Sequence, residues 1–276
     1  MNATQSEKAA RFRALHERAG AFVIPNVWDG ATACVMAGLR FEALATSSSA
    51  CAATLGRLDG QITRDEALAH ARAIVDACAL PVSADLEQGF GDSPQVVAET
   101  IRRAAAVGLV GGSIEDASGD PGAPLYDFGH AVERVTAAVA AARELSFPFT
   151  LTARAENYLH GRPDLDDTVR RLQAFERAGA DVLFAPGLPD LAAVRAVCSA
   201  VKKPVNFMVG IRGHSFSVRE LAAAGVRRIS LSTSLYRAAI TGLYAAGREV
   251  QDSGTFGYLE TIMSGSDLAG FLERQS

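Results

Sequence analysis

An α/β fold, a (β/α)8 TIM-type barrel carrying additional helices at its C-terminal end, is the fold class this sequence predicts. Three observations carry that expectation. A short β-rich run, a polar or Gly-containing loop and an Ala-rich helical pattern recur eight times within 276 residues. The helix-to-strand joints repeat one phrase, a Gly followed by an apolar run, as in AGLRFEALA, AVGLVGGSIE, RAGADVLFA and AAGVRRISL. No Gly-x-Gly-x-x-Gly turn follows the first strand, which disfavours an open doubly wound sheet, the rival architecture.

The strands fall at Ala21–Val27, Glu42–Thr46, Pro81–Asp85, Val110–Glu115, Phe149–Arg154, Asp181–Pro186, Pro204–Val209 and Arg228–Thr233. Helical patterns lie between them in TRDEALAHARAIVDACA, SPQVVAETIRRAAAVG, LDDTVRRLQAFERAGA and LPDLAAVRAVCSAV, and the first 20 residues also read as a helix. Several begin with Asp, Ser or Thr in the capping position and place acids in the first turn, as helix starts require. No Pro-, Ser- or Gly-rich linker divides the chain, so residues 1–276 are expected to form one domain, with 241–276 as a helical extension.

Composition narrows the function. Hydrophobic residues make up 49% and charged residues 21%, enough for a large core, while charge or Gly interrupts every apolar stretch short of the roughly 20 residues a membrane span needs. A polar, helix-like start without an apolar segment leads to the expectation of a cytoplasmic protein. The net charge of -4 offers no basic footprint for nucleic acid, so the expected partner is a small molecule. Four cysteines, Cys34, Cys51, Cys78 and Cys198, include no CxxC pair and are expected to pack as small apolar residues.

In such a barrel the site lies at the carboxyl ends of the strands. Those ends bring Asn26, Trp28 and Asp29; Thr46, Ser47, Ser48 and Ser49; Asp85 and Glu87; Glu115 and Asp116; Arg154 and Glu156; and Asn206. Residues two apart share a side of a strand, which aims Asp85 and Glu87 together at the mouth. Unpaired buried acids are costly, and Asp85, Glu87 and Glu115 on adjacent apolar strands suit Mg2+ or Mn2+, hard cations that take a few carboxylates and keep several waters. No His or Cys stands at a strand end, which disfavours zinc, and none of the five histidines is placed as an evident base.

Arg154 has the fork that captures a carboxylate or phosphate, or else pairs with Glu156 or the metal acids. The Thr46–Ser49 run offers hydroxyls and successive N–H groups as an anion nest, or is simply a turn. Gly89 and Gly91 allow a close approach of backbone to ligand. Together these residues point to metal-assisted carbanion or enolate chemistry.

The ordered motifs TSSSACAATLGRLDG, SADLEQGFGD, GGSIEDA and LTARAENY resemble those of the isocitrate lyase and phosphoenolpyruvate mutase superfamily, over about Ala21 to Ile240. The resemblance implies a Mg2+-dependent barrel enzyme, a dimer or tetramer with its last helix swapped between subunits, acting on a small 2-oxo carboxylate or its enolate. It implies Asp85, Glu87 and Glu115 as metal carboxylates, Asp59 as a further site acid, and Ser47 and Ser48 as holders of the substrate carboxylate. Arg154 is implied as the substrate-binding arginine; Glu115 and Asp59 join it as catalytic candidates, and Ser49 and Asn206 complete the substrate-binding candidates. Where the lyases of this superfamily carry a Lys-Lys/Arg-Cys-Gly-His loop, the chain has DASGDPGAPLYDFGH, without Cys or Lys, and it also lacks the mutases' Lys and Asn between Glu115 and His130.

The expected reaction is C–C cleavage by a lyase, decarboxylase or hydrolase of an oxaloacetate-like or 2-methylisocitrate-like acid. A phosphoenolpyruvate or phosphonopyruvate mutase or hydrolase, acting on a P–C bond, is the alternative. A catalytically inactive barrel serving as a binding module is the third.

Overall fold

A computed structural model describes residues 3–273; the last three residues of the expected extension, and the first two of the chain, lie outside the described residues. Eight strands form one parallel sheet: β1 (Phe22–Ile24), β2 (Leu44–Ala45), β3 (Val82–Asp85), β4 (Gly111–Glu115), β5 (Thr150–Arg154), β6 (Val182–Phe184), β7 (Val205–Met208) and β8 (Arg228–Ser230). Their order is β1-β8-β7-β6-β5-β4-β3-β2. The remaining seam between β1 and β2 is closed by a parallel bridge, Asn26 to Ala45, with Val27 N donating to Ala45 O at 2.8 Å. Asn26 reinforces this closure, since its Nδ2 donates to Thr46 O and its Oδ1 accepts from Leu231 N. All eight strands fall inside the expected runs, but shorter, because the flanking residues turn into loops as they leave the barrel.

The helices are α1 (Gln5–Glu17), α2 (Gly30–Gly38), α3 (Ser48–Thr54), α4 (Arg64–Ala77), α5 (Pro94–Ala106), α6 (Phe128–Arg143), α7 (Leu165–Ala178), α8 (Leu191–Ala200), α9 (Val218–Ala223), α10 (Ser234–Ser253) and α11 (Gly265–Glu273). Side-chain caps from Thr4, Asp29, Ser47, Thr63, Ser93, Asp127, Asp164, Asp190 and Ser217 start nine of them. Gly108, Gly179 and Gly225 take positive φ at the joints where α5, α7 and α9 give way to strands, a conformation that glycine alone adopts without penalty. The joint after α2 differs. There Gly38 stays helical and packs against the Phe271 ring, while Arg40 takes the positive φ.

Packing fixes which end of the barrel is open. Helix α1 crosses the N-terminal end and buries Ala9, Phe12 and Leu15 against Phe22, Ile24 and Val110, with Phe12 filling the space that Gly111 leaves. The outer core forms two clusters around the sheet, with Val139 of α6 packed against both. Val97, Ile101 and Ala104 of α5 recur at helical spacing and meet Leu86, Leu109 and Leu151, while Leu172 and Phe175 of α7 meet Leu183 and Val205.

The expected start of the C-terminal extension, 241, falls within a helix. Helix α10 runs unbroken from Ser234 because no residue between Leu235 and Val250 interrupts it, and none of its residues is buried. It exposes Ile240, Leu243, Tyr244 and Val250, and the chain beyond it exposes Phe256, Leu259, Ile262, Met263, Leu268 and Leu272. Helix α11 folds back onto α2 of the same chain.

Candidate active site

A cavity of about 400 Å3 opens at the carboxyl ends of the strands. Ser47, Ser48, Ser49, Asp59, Asp85, Glu87, Glu115, Arg154 and Asn206 all line it, so the barrel gathers the residues expected to hold metal and substrate in one place. Arg154, the last residue of β5, occupies the middle of the acids. Its Nη1 donates to Asp85 Oδ1 at 3.0 Å, its Nε donates to Glu156 Oε1 at 2.8 Å, and its Nη2 lies 3.1 Å from Glu115 Oε2. Its guanidinium also stands over the Phe184 ring at 5.1 Å. Of the alternatives open for Arg154, the structure has the internal pairing, with Glu156 and with two of the expected metal acids at once.

Asp85 is held from both sides. Besides Arg154, Ser48 Oγ donates to its Oδ2 at 3.1 Å, and Ser113 Oγ lies 3.4 Å from its Oδ1. Ser48 Oγ also stands 3.2 Å from Asp59 Oδ1, on the rim. Glu87 follows the strand rather than continuing it. Strand β3 ends at Asp85, and Glu87 takes φ +50° in the turn beyond, so backbone strain and not pleat alternation turns its side chain to the cavity.

The acids are poorly compensated. Glu87 Oε1 is buried without a hydrogen-bond partner. Burial, and then repulsion from Asp85 and Asp59, pushes the Glu87 carboxyl up to about 7. Burial raises Glu115 well above the carboxylate range despite the opposing pull of Arg154, and Asp59 is raised by burial and by Asp85. Four acids that crowd one another around a single guanidinium fit a site completed by a divalent cation. With Arg154 between them, no group of three His, Cys, Asp or Glu among the described residues is already gathered for an ion. Asp85, Glu87 and Glu115 would hold it by displacing part of that pairing.

Several expectations need correction. The Ser run is not a turn: Ser47 caps α3, its hydroxyl accepting from Ala50 N, and Ser48 and Ser49 form the first helical turn. Asp116 does not join the other acids. Its Oδ1 accepts from Glu156 N and its Oδ2 from Arg171 Nη1, which buries it beside the barrel with its carboxyl raised to about 6 by burial. Trp28 stacks against Tyr236, and Asp29 caps α2. Gly89 and Gly91 make room for Val97 and Val96 of α5 rather than for a ligand. Cys51 is buried in α3 with its thiol pushed up to about 11 by burial, and the loop between Glu115 and Asp127 is a small hairpin closed by an Ala117–Leu125 bridge.

Two further residues enter the site. His160 lines the cavity, with Nε2 4.0 Å from Glu156 Oε2; its position six residues beyond a strand end hid it. Arg228 also lines the cavity, so two arginines face it rather than one; as the first residue of β8 it lies outside any search of strand ends.

Comparison with known proteins agrees with this geometry. The family model described as phosphoenolpyruvate phosphomutase matches residues 12–251. The 2-methylisocitrate lyase of Escherichia coli (strain K12) is 32% identical over 208 residues, 72% of this chain and 69% of that one. A solved structure from Burkholderia cenocepacia J2315, designated only lyase/mutase, shares 53% identity at a TM-score of 0.95 and covers 97% of this chain and 96% of its own. Oxaloacetate acetylhydrolase in complex with its product oxalate is 25% identical at a TM-score of 0.88, covering 99% and 96% of the two chains. With its eight-stranded barrel and a family match that spans most of its length, the chain belongs to the phosphoenolpyruvate phosphomutase family, within the superfamily that also holds isocitrate lyase.

Proposed function

We propose that this protein is a Mg2+-dependent enzyme, with Mn2+ as a substitute, that cleaves a C–C bond next to the carbonyl of an oxaloacetate-like 2-oxo acid. The observation that carries this is the excess of buried acid around Arg154, above all the unpartnered Glu87 Oε1. A divalent cation bound by Asp85, Glu87 and Glu115 supplies positive charge where an enolate develops. The chain's own residues do the rest. Arg154 turns part of its fork to the substrate carboxylate, and Ser48 with the first turn of α3 offers N–H and hydroxyl donors to the same group. Asp59 orients Ser48 from the rim. His160, held near Glu156, moves the proton at the departing carbon in place of the absent lyase cysteine.

A second reading, cleavage or rearrangement of a P–C bond, is favoured by the family's name and by a second arginine in the cavity. A screen of 2-oxo acids, 2-hydroxy diacids and phosphonopyruvate with Mg2+, following pyruvate, glyoxylate, oxalate and phosphate, separates the two. Oxalate or pyruvate without phosphate supports the first, and phosphate release from phosphonopyruvate supports the second. No turnover by the wild type, with no binding of Mg2+ and oxalate, would leave only a binding module.

We also propose that the apolar residues exposed from Ile240 to Leu272 are covered by another copy of this one-domain chain in a dimer or tetramer, in which the last helix leaves α2 of its own chain and is exchanged with the other copy. Light scattering of the purified protein decides the state. No described helix is long and apolar enough to cross a membrane, and a cytoplasmic setting without nucleic-acid partners accords with the charge balance.

A further inference from the structure

Arg228 opens β8 and points into the barrel beneath the mouth, where it is only 6% exposed and lines the cavity. Its Nε donates to Asn206 Oδ1 at 2.8 Å, and Asn206 Nδ2 donates in turn to Ser230 Oγ at 3.0 Å. That leaves Nη1 buried with no hydrogen-bond partner. Among the described residues no carboxylate compensates it, and burial together with the neighbouring Arg154 cation draws its pKa down to about 9.

The other buried arginines differ in place: Arg134 also keeps a partnerless Nε, but neither it nor Arg171 lines the cavity. Arg171 binds the carboxylates of Asp116 and Asp167, and Arg134 binds the carbonyls of Gln88, Gly91 and Asp92 and stacks on Tyr126. A buried guanidinium with a free donor and no acid is costly unless an anion arrives to meet it. Arg228 is itself among the residues that line the cavity, so a ligand held there meets its side chain.

We propose that Arg228 is a specificity residue: its guanidinium, which no acid compensates, binds a second carboxylate of the substrate, distal to the one held by Arg154, so that the site takes 2-oxo diacids over 2-oxo monoacids. This role rests on the 2-oxo acid reading of the site given above. Asn206 and Ser230 act as positioning residues, fixing the guanidinium through Nε.

The test is calorimetry with Mg2+ on 3,3-difluorooxaloacetate and 3,3-difluoropyruvate, which differ in the second carboxylate, with oxalate run in parallel. The wild type is expected to prefer the diacid by about tenfold to a hundredfold, the range of a charge-assisted hydrogen bond. Arg228→Met removes that preference, lowering diacid affinity by about that factor more than it changes oxalate affinity, while Arg228→Lys keeps part of it. No preference in the wild type, or an equal loss for all three ligands in both variants, overturns the proposal. Should Arg228→Met fail to fold, the wild-type pair and Arg228→Lys still decide. Failure of the wild type to bind oxalate with Mg2+ would sink the underlying site reading, and this role with it, which is a different result from oxalate binding without diacid preference.

Discussion

Replacing Arg154 by methionine removes the charge and the guanidinium that stands over Phe184 but keeps an unbranched apolar stem. Three carboxylates, at 3.0, 3.1 and 2.8 Å, then face one another with no cation between them. Removing one partner of a buried ion pair costs about 3–5 kcal/mol, because the remaining charge stays buried and uncompensated. Arg154 serves three acids, so the upper half of that range is expected in the absence of metal.

A cation that binds only the folded protein adds stability by mass action, about 2.7 kcal/mol at a hundredfold excess over its dissociation constant. In Arg154→Met the acids no longer have to release a guanidinium before they bind it. Urea denaturation of both proteins in EDTA and in excess Mg2+ is the assay. The deficit of the variant is expected to be about 4–5 kcal/mol in EDTA and smaller in Mg2+. A deficit below about 1 kcal/mol in EDTA, the scale of an exposed pair, would refute the account of the cluster, as would a gap that widens in Mg2+.

Three further outcomes follow from the same structure. Phe12→Ala empties the plug under Gly111 and is expected to lower stability by about 3–5 kcal/mol with little change in KM, which denaturation and kinetics together check. His16 is buried with its pKa lowered to about 3 by burial and by Arg228, so the folded protein keeps it neutral while the unfolded chain protonates it below about 6.5. Its contribution is therefore complete above that value and is lost as pH falls toward 3, by about 1.4 kcal/mol at pH 5.5, and His16→Phe should remove that share of the pH dependence. His160→Gln is expected to lower kcat at least about tenfold while oxalate and Mg2+ still bind; unchanged kcat would take the proton-transfer role from His160.

The barrel was legible because each of its units is written locally. Capping Ser, Thr and Asp open the helices, Gly108, Gly179 and Gly225 close three of them, and the apolar runs mark the strands. The mouth acids were legible too, since strand ends and the site coincide in this architecture. What could not be read is whatever depends on side chains meeting across the fold. Asp116 follows Glu115 directly, yet a residue 55 positions away, Arg171, draws it to the outside. Arg228 stands at the wrong end of its strand for a search of strand ends and reaches the cavity only by the length of its side chain. Ser47, in contrast, follows the capping rule that identified the other helix starts, and its neighbours were mistaken for a loop because the helix they begin is only seven residues long.

The central claim is that the acids around Arg154 bind a divalent cation and, with it, a 2-oxo acid or its enolate. Titration calorimetry of oxalate, an enolate mimic, tests this most directly when run on the wild type and Asp85→Ala with and without Mg2+. Oxalate is expected to bind the wild type only when Mg2+ is present and to lose that binding in Asp85→Ala, which should still show a cooperative thermal transition. Binding of equal strength without Mg2+, or Mg2+-dependent binding that survives in Asp85→Ala, would contradict the account.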